Sequence, residues 1–233
     1  SGGISMKLYR YIPLNIFEDM LKTSSLYFVD PLTAWEDSRE GPLYRAMKTS
    51  EGQKKIIQIM REKNFPCVCI QVWESALKGE TYGIRCQCWC RNSDSESMWE
   101  HYSSNNQGLR IGTYKSRLTS LYYHESKVES ISIDYGAKSI ADEISQVFDG
   151  KNNIFYFPRA FRTKEAKYSF EEEVRMYVLT KDQDKEMSIR VPIGNLSEFL
   201  ADVMVHPNAD NKYVSAVRDL CTKYNIKFLE RDY

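Results

Sequence analysis

The sequence predicts an α+β fold: a single domain with mixed, mainly antiparallel sheet and peripheral helices. Three observations lead there. Short alternating or apolar strand-like runs recur along the chain, but they never fall into the regular strand–helix–strand order of a doubly wound parallel sheet. Helical segments are scattered among them. The chain has 233 residues, 42% hydrophobic and 27% charged, which suits one sizeable soluble core. No repeat, low-complexity tract or Gly/Ser/Pro-rich linker divides it.

The elements follow in order. Residues 1–5, "SGGIS", read as a cloning scar, with Met6 as the natural start and 6–233 as the single domain. "KLYRYI" (7–12) is a strand. Asn15 and Glu18 form a capping pair for a short helix whose apolar face holds Ile16, Phe17, Met20 and Leu21. "SLYFVDP" is a strand ended by Pro31, and "PLTAWEDSREGP" is a polar loop carrying Trp35. Residues 43–63 are helical, with Ile56, Ile57 and Met60 at helical spacing. "FPCVCIQVW" and "YGIRCQCWC" read as two apolar strands. Asp94 or Ser95 caps a helix over "SMWEHY", and "LRIGTY" is again a strand.

"KVESISIDYG" alternates, placing Glu129, Ile131, Ile133 and Tyr135 on one face. Residues 139–149 form an amphipathic helix, and "IFYFPRAF" is an aromatic, partly buried segment. "YSFEEEVRMYVL" (168–179), "MSIRVPI" and "ADVMVHP" are strands. Residues 210–224 make the last helix, and "IKFLERDY" closes the chain as a strand. The count is about nine strands and five helices.

Lys and Arg together number 32, as do Asp and Glu. No global field therefore steers the chain to nucleic acid or anionic membrane. No stretch approaches the ~18 apolar residues of a membrane span, and a cytoplasmic protein is expected. No nucleotide-binding glycine fingerprint, H-E-x-x-H or G-x-S-x-G occurs. The three histidines (His101, His124, His206) lack metal-site spacing.

On strands, Cys67 and Cys69 would share a face, as would Cys86, Cys88 and Cys90. Paired strands would then cluster their sulfurs. The apolar neighbours Val68 and Ile70 favour core thiols, and neither zinc nor a disulfide is expected.

The acidic block Glu171-Glu172-Glu173 raises the main question. Read as a strand, residues 168–179 put Glu171, Glu173 and Arg175 on one face and a mainly apolar set on the other, with Glu172 the exception. The bland reading is a solvated face with a Glu–Arg pair. The functional reading is a Glu-x-Glu aimed into a cleft, where a carboxylate stabilises a developing cation. On the functional reading Glu173→Gln is expected to leave the melting temperature almost unchanged. The Met98–Tyr102 stretch is likewise an aromatic core cluster or a stacking platform for a planar ring. Arg10 belongs to a strand with mixed faces, or binds phosphate through its fork.

Five pieces occur together and in order: "LYRYIP", "LYFVDPLTAWEDSREG", "CWCRNSDSESMWEHYSSNNQGLRIG", "RTKEAKYSFEEEVRMYVL" and "VMVHPNAD". With them the chain resembles the bacterial domain-of-unknown-function family 2971 over nearly its whole length. The M-W-x-H-Y and E-x-E-x-R stretches are the most specific parts. Trp35-Glu36-Asp37, Trp89-Cys90, Tyr168 and Arg10 depart from the residues commoner there. The motif order is also similar to the broader ADP-ribosyltransferase group.

That second resemblance implies an ADP-ribosyltransferase-like fold that consumes NAD as substrate, modifies a protein or nucleic-acid acceptor, and serves bacterial conflict such as phage defence. It implies that Arg10 anchors NAD with Tyr9 or Tyr11 beside it. Trp99, His101 and Tyr102 would line the site, Glu173 would be the catalytic glutamate, and Glu171 would orient or deprotonate the acceptor. Two other readings stay open. One is a non-catalytic nucleotide- or protein-binding module. The other is a metal-dependent nuclease using Glu36, Asp37 and Glu40, whose oxygens would suit Mg²⁺.

Overall fold

A computed structural model describes residues 5–35, 37–78, 83–136, 138–149, 154–180 and 186–231. Residues 1–4 of the supposed cloning scar, and Glu36, lie outside the described residues. The architecture is α+β, with an eight-stranded sheet whose pairs are all antiparallel.

The sheet strands are β1 (Lys7–Ile12), β2 (Ser25–Val29), β3 (Gly83–Cys90) and β4 (Leu109–Tyr114). They are followed by β5 (Glu129–Ser132), β6 (Glu173–Thr180), β7 (Ser188–Pro192) and β8 (Leu200–Val205). The path runs β7-β2-β3-β1-β4-β8, while β6 lies against β3 and carries β5 on its far side. The helices are α1 (Leu14–Thr23), α2 (Pro42–Met47), α3 (Ser50–Glu62), α4 (Cys67–Lys78), α5 (Glu96–Tyr102), α6 (Ile140–Val147) and α7 (Asn211–Lys223).

Strand β3 organises the molecule. Along one edge it pairs with β6 over eight residues, from Glu173↔Cys90 to Thr180↔Gly83. On the other edge it meets two strands, each at one point: β1 at Tyr9↔Cys90 and β2 at Val29↔Cys86. Between those points β1 and β2 diverge, and the sheet forks beside Gln87, Cys88 and Trp89.

Both faces of the β3–β6 pair are covered. Trp89, Val174, Met176 and Val178 enter one core with Leu8, Phe17 and Val217. Ile84, Cys86 and Tyr177 enter a second with Trp35, Tyr44, Trp73 and Ile144. A strand buried on both sides has no solvent face, so the bland reading of the acidic block fails. Glu173 is 4% exposed and Arg175 is 0% exposed.

Other expectations are corrected. The run "FPCVCIQVW" is not a strand but enters helix α4, because Cys69, Ile70 and Trp73 fit a helical stripe facing the second core. Cys67 is therefore exposed while Cys69 is buried, and the two do not share a face. All six cysteines are thiols. Residues 168–171 of the supposed strand are 3₁₀ helix (Ala166–Glu171), and Glu172 is the turn that follows it. Helix α1 starts behind Pro13 without the Asn15–Glu18 pair, and Ile16 is 40% exposed. The stretch 43–63 is two helices, the "PLTAW" loop holds a helical turn (Pro31–Ala34), and Trp35 is buried. Among the described residues, 226–231 form no strand: Phe228 makes an isolated parallel bridge to Val203.

Candidate functional site

The fork in the sheet opens a cavity of about 470 Å³, lined by Tyr9–Ile12 of β1, Pro13, Ser25–Tyr27 of β2, Gln87–Cys90 of β3, Tyr102, Glu171 and Glu173. A second lobe of about 250 Å³ adjoins it, with Arg10, Tyr27, Gln87, Cys88, Tyr102 and Glu171 shared between the two. Trp35, His101, Lys164 and Tyr168 line this second lobe. Its floor depends on Gly41, at φ +61°, whose missing Cβ would fall 2.4 Å from the Trp35 ring.

The carboxylates arrive by a local device. The 3₁₀ helix ends at Glu171, and Glu172 turns the chain in the left-handed region at φ 43° before β6 begins at Glu173. Both carboxylates then meet Lys164. Its ammonium bonds Glu171 and lies 3.1 Å from Glu173 Oε2. Lys164 sits on a two-residue strand, Thr163–Lys164, paired in parallel with Asp134–Tyr135. The Tyr135 hydroxyl also accepts the Glu173 N–H at 2.7 Å.

Arg175 continues the chain of charges. Its Nε donates to Glu173 Oε1 at 2.7 Å, Nη1 to the Phe161 carbonyl, and Nη2 to Glu40 Oε1 at 2.6 Å. The buried ladder is therefore Glu40–Arg175–Glu173–Lys164–Glu171, capped where the Tyr102 hydroxyl donates to Glu171 Oε1 at 2.8 Å. Its formal charge is three negatives against two positives.

The pKa shifts follow from this order. Burial alone would raise Glu173, but Arg175 and Lys164 together hold it below the usual carboxylate range. Burial would likewise lower Lys164, yet Glu173, then Glu171 and Glu40, keep it above its ordinary value. Glu40, at the ladder's end, is raised by burial despite Arg175. Burial also raises the Cys88 thiol well above normal, with Glu173 adding to it, so Cys88 is held as S–H.

Arg10 behaves differently. It is half-buried and lines both lobes, and among the described residues its side chain has no hydrogen bond or ion pair. Burial lowers its pKa, opposed by Cys88 and Tyr102. A guanidinium still stays charged, so the fork carries a cation with its donors unspent.

Of the other residues singled out, Tyr9 lines the first lobe beneath the Arg110 guanidinium at 4.6 Å. Tyr11 also lines it but is an anchor: its hydroxyl donates to the Asn92 carbonyl at 3.1 Å and accepts from the Ser95 N–H at 3.3 Å. Tyr102 lines both lobes and His101 only the second. Trp99 lies behind the wall, 2% exposed, with its edge on Tyr11 at 4.6 Å and its Nε1 donating to Asp94 at 2.7 Å. It holds α5 rather than facing the cleft. Asp37 and Glu40 take different partners, Arg39 and Arg175, and no group of three metal-ligating side chains occurs among the described residues.

Sequence reasoning missed Lys164, Tyr27 and Arg190, and gave Glu40 to a metal site where the structure pairs it with Arg175. A signal existed for Lys164. Two carboxylates and an arginine on a strand buried on both faces need further counter-charges.

A family model described as "Protein of unknown function (DUF2971)" matches residues 98–176, which include Trp99, His101, Tyr102, Glu171 and Glu173. No curated protein matches the chain. Among solved structures, the chain is similar to Thermus sp. 2.9 DarT in complex with NAD+, at 9% identity and TM-score 0.40, covering 99% of this chain and 98% of that one. It is also similar to Thermus sp. 2.9 DarT in complex with ADP-ribosylated ssDNA, at 8% identity and TM-score 0.39, covering 97% and 94%. No described helix is long and apolar enough to cross a membrane.

Proposed function

We propose that this protein is ADP-ribosyltransferase-like, binding NAD in the fork and cleaving its nicotinamide–ribose bond. One observation supports the reading most. Arg10, Tyr9, Tyr11, Tyr102, Glu171 and Glu173, from three separate stretches of the sequence, line one cavity. Arg10 would hold a phosphate through its unspent fork. Breaking the glycosidic bond sends the electron pair out with nicotinamide and leaves positive charge on the ribose. The ionised Glu173, fixed on a rigid strand, would stabilise that charge. Glu171 would take the proton of the attacking acceptor, a protein or nucleic-acid group.

A second reading, a binding module without turnover, has its own support. Both oxygens of each carboxylate already accept bonds: those of Glu173 from Arg175 and Lys164, those of Glu171 from Tyr102 and Lys164. An enzyme must release one of them to substrate.

The test is nicotinamide release from NAD with protein, DNA or RNA as acceptor. The transferase reading expects release by the wild type. It expects a fall of at least ~10²-fold in Glu173→Gln, assayed where that variant is still folded. NAD binding without release under any acceptor would favour the binding module. Neither binding nor release would remove the transferase reading and the nucleotide-binding form of the module.

A further inference from the structure

A second arginine, Arg190, lines the same cavity. Arg190 lies on β7 directly opposite Tyr27 of β2. Its guanidinium sits over the Tyr27 ring at 5.5 Å and lines the first lobe, as does Asp19 of α1. Asp19 holds it in a two-pronged pair, Nη1 to Oδ2 at 2.7 Å and Nη2 to Oδ1 at 3.2 Å. The Thr23 hydroxyl accepts from the same Nη1 at 3.3 Å.

We propose that Arg190 is the second anion contact of the cleft, taking one phosphate of a pyrophosphate while Arg10 takes the other. The inference rests on the dinucleotide reading above. Its geometry is independent of the carboxylates. Arg10 and Arg190 line the same cavity, and Tyr27 lines both lobes between β3 and β7. The two-pronged fit of Asp19 on Arg190 is the fit that two phosphate oxygens also make. Both side chains of this pair are close to half exposed, 46% and 45%, and such pairs hold their partners weakly. Exchanging Asp19 for phosphate therefore sacrifices little, and Asp19 can turn to solvent. Asp19 is then a competitor of the ligand, not a support for it.

That last point makes the proposal testable, because the two members of one ion pair are expected to act in opposite directions. Binding would be measured by calorimetry at low salt with two probes, ADP-ribose with two phosphates and nicotinamide mononucleotide with one. Arg190→Gln is expected to weaken ADP-ribose binding about tenfold and to move the mononucleotide less than about twofold. Asp19→Asn is expected to tighten ADP-ribose binding about threefold. Arg10→Gln is expected to weaken both probes. If Arg190→Gln and Asp19→Asn shift ADP-ribose in the same direction, or not at all, while Arg10→Gln still weakens it, Arg190 has only a structural role and the dinucleotide reading survives. If the wild type binds neither probe, the dinucleotide reading falls and this inference with it.

Discussion

The two edges of β3 are built oppositely. Toward β6 it is closed along its whole length by eight registered pairs, and the charges there are buried and mutually satisfied. Toward β1 and β2 it is held by one pair to each, at Cys90 and Cys86, and the cations there are either unpaired, as Arg10, or paired to a half-exposed partner, as Arg190. A closed edge can carry buried ions because its backbone fixes both partners. A forked edge cannot, but it leaves room for something to enter. The comparison predicts that substitutions on the closed side disturb folding, while those on the forked side disturb binding.

The largest expected effect is therefore at Arg175. Arg175→Met keeps much of the bulk but strips Glu40 of its buried partner and leaves Glu173 with Lys164 alone. Breaking a buried pair in this way costs about 3–5 kcal/mol. Urea denaturation should show that loss, or no folded protein at all, and Glu40→Gln combined with Arg175→Met should lose less than Arg175→Met alone. Glu173→Gln should also lower stability measurably, contrary to the neutrality expected from sequence, since Lys164 and Arg175 lose their shared anion. Near-wild-type stability in both single variants would mean that the ladder does not hold the closed edge.

A sharper form of the comparison uses a buried acid outside the ladder. Glu143 of α6 is 0% exposed, and its Oε2 accepts the Leu43 N–H at 2.6 Å. Burial raises its pKa from 4.5 to about 7, against the Thr163 hydroxyl and the Leu43 N–H. Between those values the folded state keeps a proton that the unfolded state has lost, so stability falls as pH rises. The shift corresponds to roughly 3 kcal/mol lost by pH 8. Glu143→Gln should match the wild type at pH 5 and melt higher at pH 8. Glu173 has the opposite sign. Its pKa is lowered, so its contribution is present above about pH 4.5 and is lost as pH falls. Parallel pH profiles for Glu143→Gln and wild type would show that Glu143 is not the titrating group.

How much of this was legible in the sequence differs between the two edges. The strand character of β1 to β4 follows from short apolar runs. The shared face of Glu173 and Arg175 follows from period two, which holds once β6 begins. The fork does not follow, since single-pair contacts at Cys86 and Cys90 leave no mark in either partner's pattern. Helix α4 was misread because a short apolar run rich in Val and Ile fits both periods. The structure resolves it by burying Cys69, Ile70 and Trp73 and leaving Val68 and Val72 more than half exposed. The Lys164 bridge was invisible because a two-residue parallel pairing, not any motif, brings it to the glutamates.

The smallest expected effect lies at the joint between 3₁₀ helix and closed edge. Glu172 sits at φ 43°, ψ 49°, a left-handed conformation that favours glycine over side chains with a Cβ. Its N–H donates to the Ser169 carbonyl at 3.1 Å, and its own carbonyl accepts from Arg91 N–H at 3.3 Å, so backbone bonds hold the turn. The side chain joins no rung of the ladder. Glu172→Gly should therefore relieve strain by about 0.5–1 kcal/mol, less what the more flexible unfolded chain takes back. The net should be a small rise or no change in melting temperature, with ligand binding unaltered. Glu172→Val, β-branched in the same conformation, should lower stability by about 1–2 kcal/mol, because the turn must deform or the strain be borne. If Val is tolerated as well as Gly, the left-handed turn is not what brings Glu171 and Glu173 onto the same lysine. The convergence of the two carboxylates would then have to come from Lys164 reaching out to them.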